Sequence, residues 1–275
     1  MISQKKKDYL KKHQWVAGLI DGDGCFLVSN KGYASLEITV SSVDEALLHQ
    51  IKRCFGGSIK PRSSLKALRY RLHSKKGLTE LLHAINGNVR NSIRQEQFKR
   101  VLNLYNIEYI EPCIFTWDNG YVSGLLDSDG SISLNVKKHA YVNNPEQKGT
   151  LGKIQRLQHA KAVQLNIKIT QKHKKNLSFL TKPFSPLNSD NPFGYIVFDK
   201  SQNGYYSWTI SSKTEVTVFL YYISKYQCYS KKAHRLRLVQ VFYELHAQKA
   251  YLAQNDTCLR RRWNHFANNW FRYNK

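Results

Sequence analysis

Apolar and polar residues alternate along several short stretches of the chain, and alternation with a period of two predicts β-strands. The clearest stretch is 163–170, in which Val163, Leu165, Ile167 and Ile169 alternate with polar residues. The same pattern predicts further strands at 25–31, 33–41, 58–62, 68–73, 131–139, 195–200 and 205–211. We therefore expect antiparallel sheets with one face on the core and the other towards solvent.

Helices are predicted between and after these strands. Two tetrads, at 42–45 and 212–215, have Ser first and Glu fourth, which is a capping-box pattern, and they predict helices at 42–55 and 212–224. Other helices are predicted at 78–85, 92–104, after 172 and from 231 to about 254. A basic lead-in at 1–14, a polar insertion at 143–160 and an aromatic tail at 259–275 complete the chain. The order helix, two strands, helix, two strands, helices occurs twice.

A duplicated element organises the chain. Residues 15–24 and 121–130 share six of ten positions. Each stretch predicts a short apolar helix, with Ala17 and Gly18 in the first copy and Ser123 and Gly124 in the second flanking one side. Small residues let two backbones approach closely. We expect these helices to pack side by side through their small faces.

Each copy ends in Asp-x-Asp-Gly, so side-by-side packing would bring two acidic helix ends together. Close carboxylates raise one another's pKa unless a cation neutralises them. Carboxylates and helix-end carbonyls, here those of Gly22 and Ser128, are ligands of the kind that Mg²⁺ takes. The alternative is a simple turn with Gly24 and Gly130 as helix caps, and the presence of two copies argues against it.

Both copies resemble the LAGLIDADG motif, and the chain is similar in length to the double-motif monomeric LAGLIDADG homing endonucleases. The departures are Val16, Val122, Ser123, Gly22 and Ser128. The resemblance implies an α+β fold of two pseudo-symmetric αββαββα halves with saddle-shaped antiparallel sheets. We expect an N-terminal half at 1–105, a linker at 106–120 and a C-terminal half at 121–275.

The charge balance agrees with a nucleic-acid partner. Forty-three Lys and Arg against nineteen Asp and Glu give a net charge of +24, which favours a polyanion. A generically basic protein is the alternative. A membrane partner is not expected, because no apolar run approaches the roughly 18 residues of a membrane-spanning helix.

The polar faces of the predicted strands are candidates for DNA contact, since a two-stranded ribbon fits the major groove. A solvated sheet face is the alternative. The basic row at 69–73 carries the strongest signal, and arginines 260–262 of the tail are candidates for phosphate contact. The candidate DNA-binding residues are Ser29, Lys31, Ser35, Glu37, Thr39, Lys60, Arg62, Arg69, Arg71, His73, Ser133, Asn135, Lys137, Gln164, Asn166, Lys168, Lys200, Tyr205, Ser207 and Thr209.

The resemblance also implies catalytic residues. It assigns the catalytic, metal-binding acids to Asp23 and Asp129, and a structural role to Asp21 and Asp127. It places a polar residue after the second strand of each half; aligning 38–42 with 167–171 selects Ser42 and Gln171. It places a basic residue at the start of the last helix; aligning 94–98 with 232–236 selects Arg94 and Lys232, with Arg90 and Lys231 as alternatives.

Paired metal ions held by carboxylates supply the chemistry of phosphodiester hydrolysis. The resemblance implies a monomeric DNA endonuclease with two or three Mg²⁺ ions, replaceable in binding by Mn²⁺ or Ca²⁺, that cuts a long asymmetric site with short 3′ overhangs. Alternatives are an RNA maturase that assists splicing of its host group I intron, and a non-catalytic DNA-binding regulator. Frequent Asn, Lys, Ile and Tyr suggest an A+T-rich gene, which fits an intron of a mitochondrion or chloroplast.

Overall fold

The computed structural model describes residues 4–63, 65–136, 148–184, 191–201 and 203–272, with side chains from residue 8 onwards. The first half begins with the helix that carries the first motif, and a sheet and three further helices follow. Its elements are α1 (Gln4–Asp23), β1 (Gly24–Val28), β2 (Ala34–Ser41), α2 (Glu45–Phe55), β3 (Ser58–Pro61), β4 (Ala67–Leu72), α3 (Lys75–Ile85) and α4 (Ser92–Leu104).

The second half also begins with a motif helix and four strands follow, but one helix lies between its first two strands and an additional helix lies at its end. Its elements are α5 (Tyr121–Asp129), β5 (Gly130–Val136), α6 (Gly149–Gln158), β6 (Val163–Gln171), β7 (Tyr195–Asp199), β8 (Tyr205–Ile210), α7 (Lys213–Lys225), α8 (Lys232–Ala247) and α9 (Cys258–Trp270). Two 3-10 turns, Lys174–Asn176 and Ser178–Thr181, follow β6 where the first half has α2. The predicted polar insertion contains α6.

Each half contains one four-stranded antiparallel sheet. The strand orders are β1-β2-β4-β3 and β5-β6-β8-β7, so the two sheets have the same topology. The registers also correspond, because Gly24 pairs with Ile38 in the first sheet and Gly130 with Ile169 in the second. The predicted α+β fold with two related halves is confirmed.

Helices α1 and α5 pack against each other at the centre of the molecule, as the small residues predict. A Cβ atom added to Gly18 would overlap the carbonyl oxygen of Tyr121, and one added to Gly124 would overlap that of Trp15. Only glycine permits a backbone approach this close. The two motif helices therefore meet directly, and their C-terminal ends lie on the same side.

Several predicted elements are corrected by the structure. The lead-in is not separate, because α1 already begins at Gln4. The capping box at Ser212 and Glu215 forms, but the one at Ser42 does not: Ser42 starts a 3-10 turn, and α2 begins at Glu45 without a side-chain cap. Helix α8 ends at Ala247 rather than near residue 254, because Lys249 has a left-handed backbone with φ of 51°.

The aromatic tail forms α9 and packs into the core of the second half. Trp263 and Trp270 are buried, and the Trp263 indole donates to the carbonyl oxygen of Leu157 in α6 at 3.0 Å. Arg260 is buried too and donates to the carbonyl oxygen of Tyr251. It therefore does not reach phosphate, which corrects the expectation for this arginine. Among the described residues, no helix is long and apolar enough to cross a bilayer.

Candidate catalytic centre and nucleic-acid interface

The second acids of the two motifs meet where α1 and α5 end. Asp23 and Asp129 are the last residues of these helices. A Cβ added to Gly22 would stand 2.9 Å from Oδ2 of Asp129. Burial raises the pKa of Asp23 to about 6. Burial and the charge of Asp23 raise the pKa of Asp129 to about 7.

Gln171 holds Asp129 in place. Its Nε2 donates to Oδ2 of Asp129 at 2.6 Å, and its Oε1 accepts from Nδ2 of Asn91 at 2.9 Å. Asn91 caps α4, because its Oδ1 accepts from the backbone N–H groups of Ile93 and Arg94. The carboxylate of the second half is thus oriented through a buried chain of hydrogen bonds that ends on a helix of the first half.

The two predicted basic residues reach equivalent carbonyl oxygens at the helix ends. The Lys232 ammonium donates to the carbonyl oxygens of Leu126, Asp127 and Ser128, the last at 2.6 Å. The Arg94 guanidinium donates to the carbonyl oxygen of Gly22 at 3.5 Å. Cations at a helix C-terminus are favourable. Both charges also counteract the burial that raises the pKa of the two second acids.

The residues left open as alternatives to this basic pair make other contacts. The Arg90 guanidinium lies over the rings of Phe115, Tyr121 and Phe179, at 5.4 to 5.6 Å from their centroids. The backbone N–H of Lys231 donates to Oδ1 of Asp44 at 2.6 Å. The side-chain hydrogen bonds described at the acidic helix ends are therefore those of Arg94 and Lys232.

The ladder register corrects the alignment that paired Ser42 with Gln171. Since Ile38 and Ile169 occupy equivalent positions, the residue equivalent to Gln171 is Val40, which is buried. Ser42 lies two residues further on, where it is exposed at the start of a 3-10 turn. The first half thus has an apolar residue, not a polar counterpart of Gln171, at that position.

Asp44 stands near the centre instead, and the sequence reasoning missed it. Its charge adds to burial in raising the pKa of Asp23, and it partly offsets the burial that lowers the pKa of Lys232. Asp44 lies in the 3-10 turn after β2 and accepts a hydrogen bond from the backbone N–H of Lys231, just before α8. In the second half, Asn176 lies in the 3-10 turn after β6 and accepts from the backbone N–H of Ser92, at the start of α4. The sequence signal for this role is an acidic residue shortly after the end of a strand. The capping-box interpretation assigned Asp44 to the first turn of a helix instead.

The first acid of each motif, Asp21 or Asp127, accepts a hydrogen bond from the other motif helix and so joins the two halves; we call each of these two hydrogen bonds a lock. Asp21 accepts from the Tyr121 hydroxyl at 2.6 Å, and Asp127 accepts from the Trp15 indole at 2.9 Å. The first residue of each motif therefore bonds to the seventh residue of the other. Burial raises the pKa of Asp21 to about 6 and raises the pKa of Asp127.

Each of these acids also accepts backbone N–H groups just before the next long helix. Asp21 accepts from Arg90 and Asn91, which precede α4, and Asp127 accepts from Tyr229 and Ser230, which precede α8. This arrangement supports the structural role that the resemblance implied for both acids.

Removing one lock should destabilise the fold without touching the second acids. We expect Tyr121→Phe to lower the free energy of unfolding by about 1 to 3 kcal/mol, because the buried Asp21 loses a donor and keeps its desolvation cost. Urea unfolding followed by tryptophan fluorescence measures this change. The exposed Tyr195→Phe is the control, and an equal loss in both variants would contradict a special role for the lock.

The first sheet presents a basic outer face. Glu37 forms ion pairs with Arg69 at 3.4 Å and Arg71 at 3.2 Å, and both arginines stand on β4 beside it. Thr39 pairs with Arg69 on the same face. The other predicted contacts that lie exposed on this half are Ser29, Lys31, Lys60, Arg62 and His73.

The second sheet is less exposed than predicted. Asn166, Ser207 and Thr209 stand on the expected face but are buried, with 4, 9 and 2% of their surface accessible, and Ser35 of the first sheet is 7% accessible. Thr209, for example, pairs with the longer residues Lys168 and Tyr195 on its two neighbouring strands.

The remaining candidates of the second half lie on or near the outer face. Lys200 is exposed, and the Tyr205 hydroxyl donates to Oδ2 of Asp199 at 2.8 Å. Lys137 lies outside the described residues. The other predicted contacts that are at least partly accessible are Ser133, Asn135, Gln164 and Lys168.

The donor set at the helix ends suits a hard divalent cation. Asp23 and Asp129 supply carboxylate oxygens, and the Gly22 and Ser128 carbonyls add two neutral oxygens. Each carbonyl already accepts from a basic side chain, but a carbonyl oxygen has a second lone pair. Among the described residues there is no group of three or more His, Cys, Asp or Glu arranged to hold a metal, so water or a substrate would complete the coordination.

Comparison with known proteins decides the family. A family model described as LAGLIDADG endonuclease matches residues 16–105 and 122–242. The chain belongs to the LAGLIDADG endonuclease family. The resemblance seen in the two motif stretches is thereby confirmed.

Curated relatives of this LAGLIDADG chain carry two kinds of name. Intron-encoded RNA maturase bI4 of Saccharomyces cerevisiae is 39% identical over 265 residues, which cover 96% of this chain and 37% of that protein. Probable intron-encoded endonuclease aI2 of Debaryomyces hansenii is 37% identical over 260 residues, 94% of this chain and 37% of that protein. This chain therefore spans little more than a third of both relatives.

Solved structures share the fold at lower identity. The LAGLIDADG meganuclease I-AabMI bound to uncleaved DNA has a TM-score of 0.61 and 18% identity, with 92% of this chain and 98% of that chain covered. I-SmaMI bound to an uncleaved DNA target in the presence of calcium ions has a TM-score of 0.64 and 18% identity, with 96% and 99% covered.

Proposed function

We propose that this LAGLIDADG chain is a site-specific endonuclease that hydrolyses phosphodiester bonds in both strands of a long, asymmetric DNA target. The observation that carries the proposal is the meeting of Asp23 and Asp129 at the ends of two packed helices, with Lys232, Arg94 and Gln171 around them. Relatives named endonucleases and DNA-bound structural neighbours support it.

Each residue of the centre has a defined task in this proposal. Asp23 and Asp129 hold divalent ions, for which we propose Mg²⁺, two or three in number, with Mn²⁺ or Ca²⁺ able to replace it in binding. When bound, these ions activate water and neutralise the leaving oxygen. Gln171 fixes the orientation of Asp129. Lys232 and Arg94 place positive charge where negative charge develops on the phosphate.

The rest of the chain positions the DNA. We propose that residues 1–105 and 121–275 act as two halves joined by 106–120, with their sheets placed end to end along the major groove. The acids directly precede β1 and β5, so they lie where the two sheets begin. We propose that cleavage occurs across the intervening minor groove and leaves short 3′ overhangs, as the family resemblance implies. A single chain supplies both acids, which favours a monomer.

Cleavage by the purified chain tests the proposal. The substrate is DNA that carries the joined exons flanking the host intron, or a randomised DNA library. We expect double-strand cuts with Mg²⁺ and none after chelation with EDTA. Intact DNA at every Mg²⁺ concentration, from protein that binds the substrate, would contradict the proposed activity.

The basic face of the first sheet should set the salt dependence of DNA binding. Arg69→Ala with Arg71→Ala should weaken binding and reduce the slope of log K against log salt by about 2, because two phosphate contacts are lost. Arg100→Ala with Lys249→Ala removes the same charge from exposed positions on α4 and just after α8 that are not predicted DNA contacts. Fluorescence anisotropy over a salt series compares both pairs, and equal slopes would argue against the sheet face as the footprint.

A second function is favoured by one comparison. The relative named RNA maturase aligns with 96% of this chain at 39% identity, so we also propose that the chain assists splicing of its host intron RNA. Gel-shift binding of the host intron RNA and an in vitro splicing reaction test this function, and splicing unaffected by the protein would contradict it. Relatives named intron-encoded support encoding within an intron, for which we propose a mitochondrial or chloroplast gene.

A further inference from the structure

A basic groove lies beside the N-terminal parts of the two motif helices. It has a volume of about 300 Å³ and opens between α1, the start of α5 and the segment that joins α7 to α8. The basic lead-in singled out in the sequence contributes two of its lysines. We call it the lysine groove, and its side chains relevant here are Lys11, Lys12, Lys225, Tyr226, Gln227 and Tyr229.

The lysines of the groove lie against aromatic rings. The ammonium of Lys11 lies 5.5 Å from the ring centroid of Tyr226, and that of Lys12 lies 5.3 Å from that of Tyr229. Aromatic faces attract cations at these distances without cancelling their charge. One acid, Asp8, lines the groove beside its three lysines, so the groove keeps a net positive charge that attracts phosphate.

An exposed aromatic platform adjoins the groove. Tyr221 has 59% of its surface accessible and stacks on Trp117 with ring centroids 6.0 Å apart and an interplanar angle of 27°. Lys225 links the platform to the groove, since its ammonium lies 4.7 Å from the centroid of the Tyr221 ring. A large exposed ring beside a cationic groove is the arrangement that binds unpaired bases by stacking.

The lysine groove is separate from the proposed cleavage centre. Lys11 and Asp23 are twelve residues apart along α1, which corresponds to about 18 Å along a helix. Ser123, near the start of α5, also lines the groove, whereas Asp129 ends that helix. The groove and the acids therefore lie towards opposite ends of the same helix pair, and the proposed cleavage reaction does not use the groove.

We propose that the lysine groove and the Tyr221 platform bind single-stranded RNA. Lys11, Lys12 and Lys225 contact the phosphates and an unpaired base stacks on Tyr221. The exposed amide of Gln227 offers an acceptor for a 2′-hydroxyl, the group that separates RNA from DNA. The inference is independent of DNA cleavage, and it supplies an RNA-binding surface for the second proposed function.

Binding of a labelled, unstructured RNA of about 20 nucleotides to the full chain tests the proposal. Lys11→Ala with Lys225→Ala should raise the Kd for this RNA about tenfold or more. Arg100→Ala with Lys249→Ala, the matched charge control at exposed positions on α4 and just after α8, should change it by about twofold or less. Tyr221→Ala should raise the Kd roughly 5- to 150-fold, and Tyr221→Phe should retain binding because the ring remains.

Two further readouts separate this proposal from the others. Every variant should bind and cut duplex DNA like the unchanged protein, so loss of duplex binding or cleavage in the groove variants would overturn a separate groove. DNA of the same sequence as the RNA should bind more weakly, and equal affinity would overturn the assignment to RNA. An equal loss of RNA affinity in the Lys11→Ala with Lys225→Ala variant and in its charge control would overturn the groove as the RNA-binding site. Thermal melting verifies that each variant is folded.

Discussion

Replacing Asp23 and Asp129 together with asparagine is expected to lower the rate of DNA cleavage by about 10³-fold or more and to leave DNA binding in place. Asparagine has the same shape as aspartate but lacks the charge that holds divalent ions. The helix ends keep their packing, and the new amide oxygen at position 129 can still accept from Gln171. Single-turnover cleavage and anisotropy on the same target measure the two effects separately.

The same double substitution should not destabilise the fold. Burial raises the pKa of both carboxyls, and the charge of Asp23 raises that of Asp129 further. A raised pKa means that the ionised acid is disfavoured in the folded state, so the neutral amides remove an unfavourable term above the raised pKa values. We expect an equal or higher Tm at pH 8. Glu111→Gln, at an exposed position of the linker, is the control.

Two results would contradict this assignment. Unchanged cleavage by the double variant would remove Asp23 and Asp129 from the chemistry. Loss of DNA binding along with cleavage, in a variant that still melts cooperatively, would instead make the acids part of the binding surface.

Gly18→Ala is expected to destabilise the protein by about 3 kcal/mol or more. The added methyl group would overlap the carbonyl oxygen of Tyr121, which belongs to a helix backbone and cannot move aside as a side chain can. The two motif helices would have to separate, and Asp23 and Asp129 would separate with them. Cleavage should therefore fall as well. Urea unfolding measures the first effect and single-turnover kinetics the second.

Two comparisons make the result specific. Gly124→Ala should cost about as much, because its Cβ would overlap the Trp15 carbonyl oxygen. Gly32→Ala should cost only about 1 kcal/mol, because Gly32 has open space around it and only its positive φ of 77° disfavours alanine. A similar loss of unfolding free energy in the Gly18 and Gly32 variants would show that Gly18 is not required for the close contact between the helices.

The sequence predicted the parts of the molecule that depend on local pattern. The small residues at 17–18 and 123–124 predicted the helix pair, and alternation in 163–170 predicted β6. Helix α4 was predicted with the observed bounds. The approach of the two acids was predicted from the duplication together with the small faces, and it requires the two helices to pack with their C-terminal ends on the same side, as they do.

Other features depend on partners that are distant in sequence. The equivalence of Val40 with Gln171 is defined by the pairing of β2 with β1 and of β6 with β5. Sequence alone does not reveal it, because shifting the alignment of the two strands by two residues leaves the alternation of apolar and polar positions unchanged. Asp44 reaches the centre only because α8 of the other half lies beside it. The burial of Thr209 depends on the longer side chains of Lys168 and Tyr195, which pair with it on the two adjacent strands.

The exchange of hydrogen bonds between the motif helices constrains how the two halves can be recombined. Trp15 serves the second half and Tyr121 serves the first, so a chimera that joins either half to one from a relative must supply a donor and an acceptor that match across the new junction. Recombination of halves would therefore require positions 15 and 127, and positions 121 and 21, to be transferred as matched pairs.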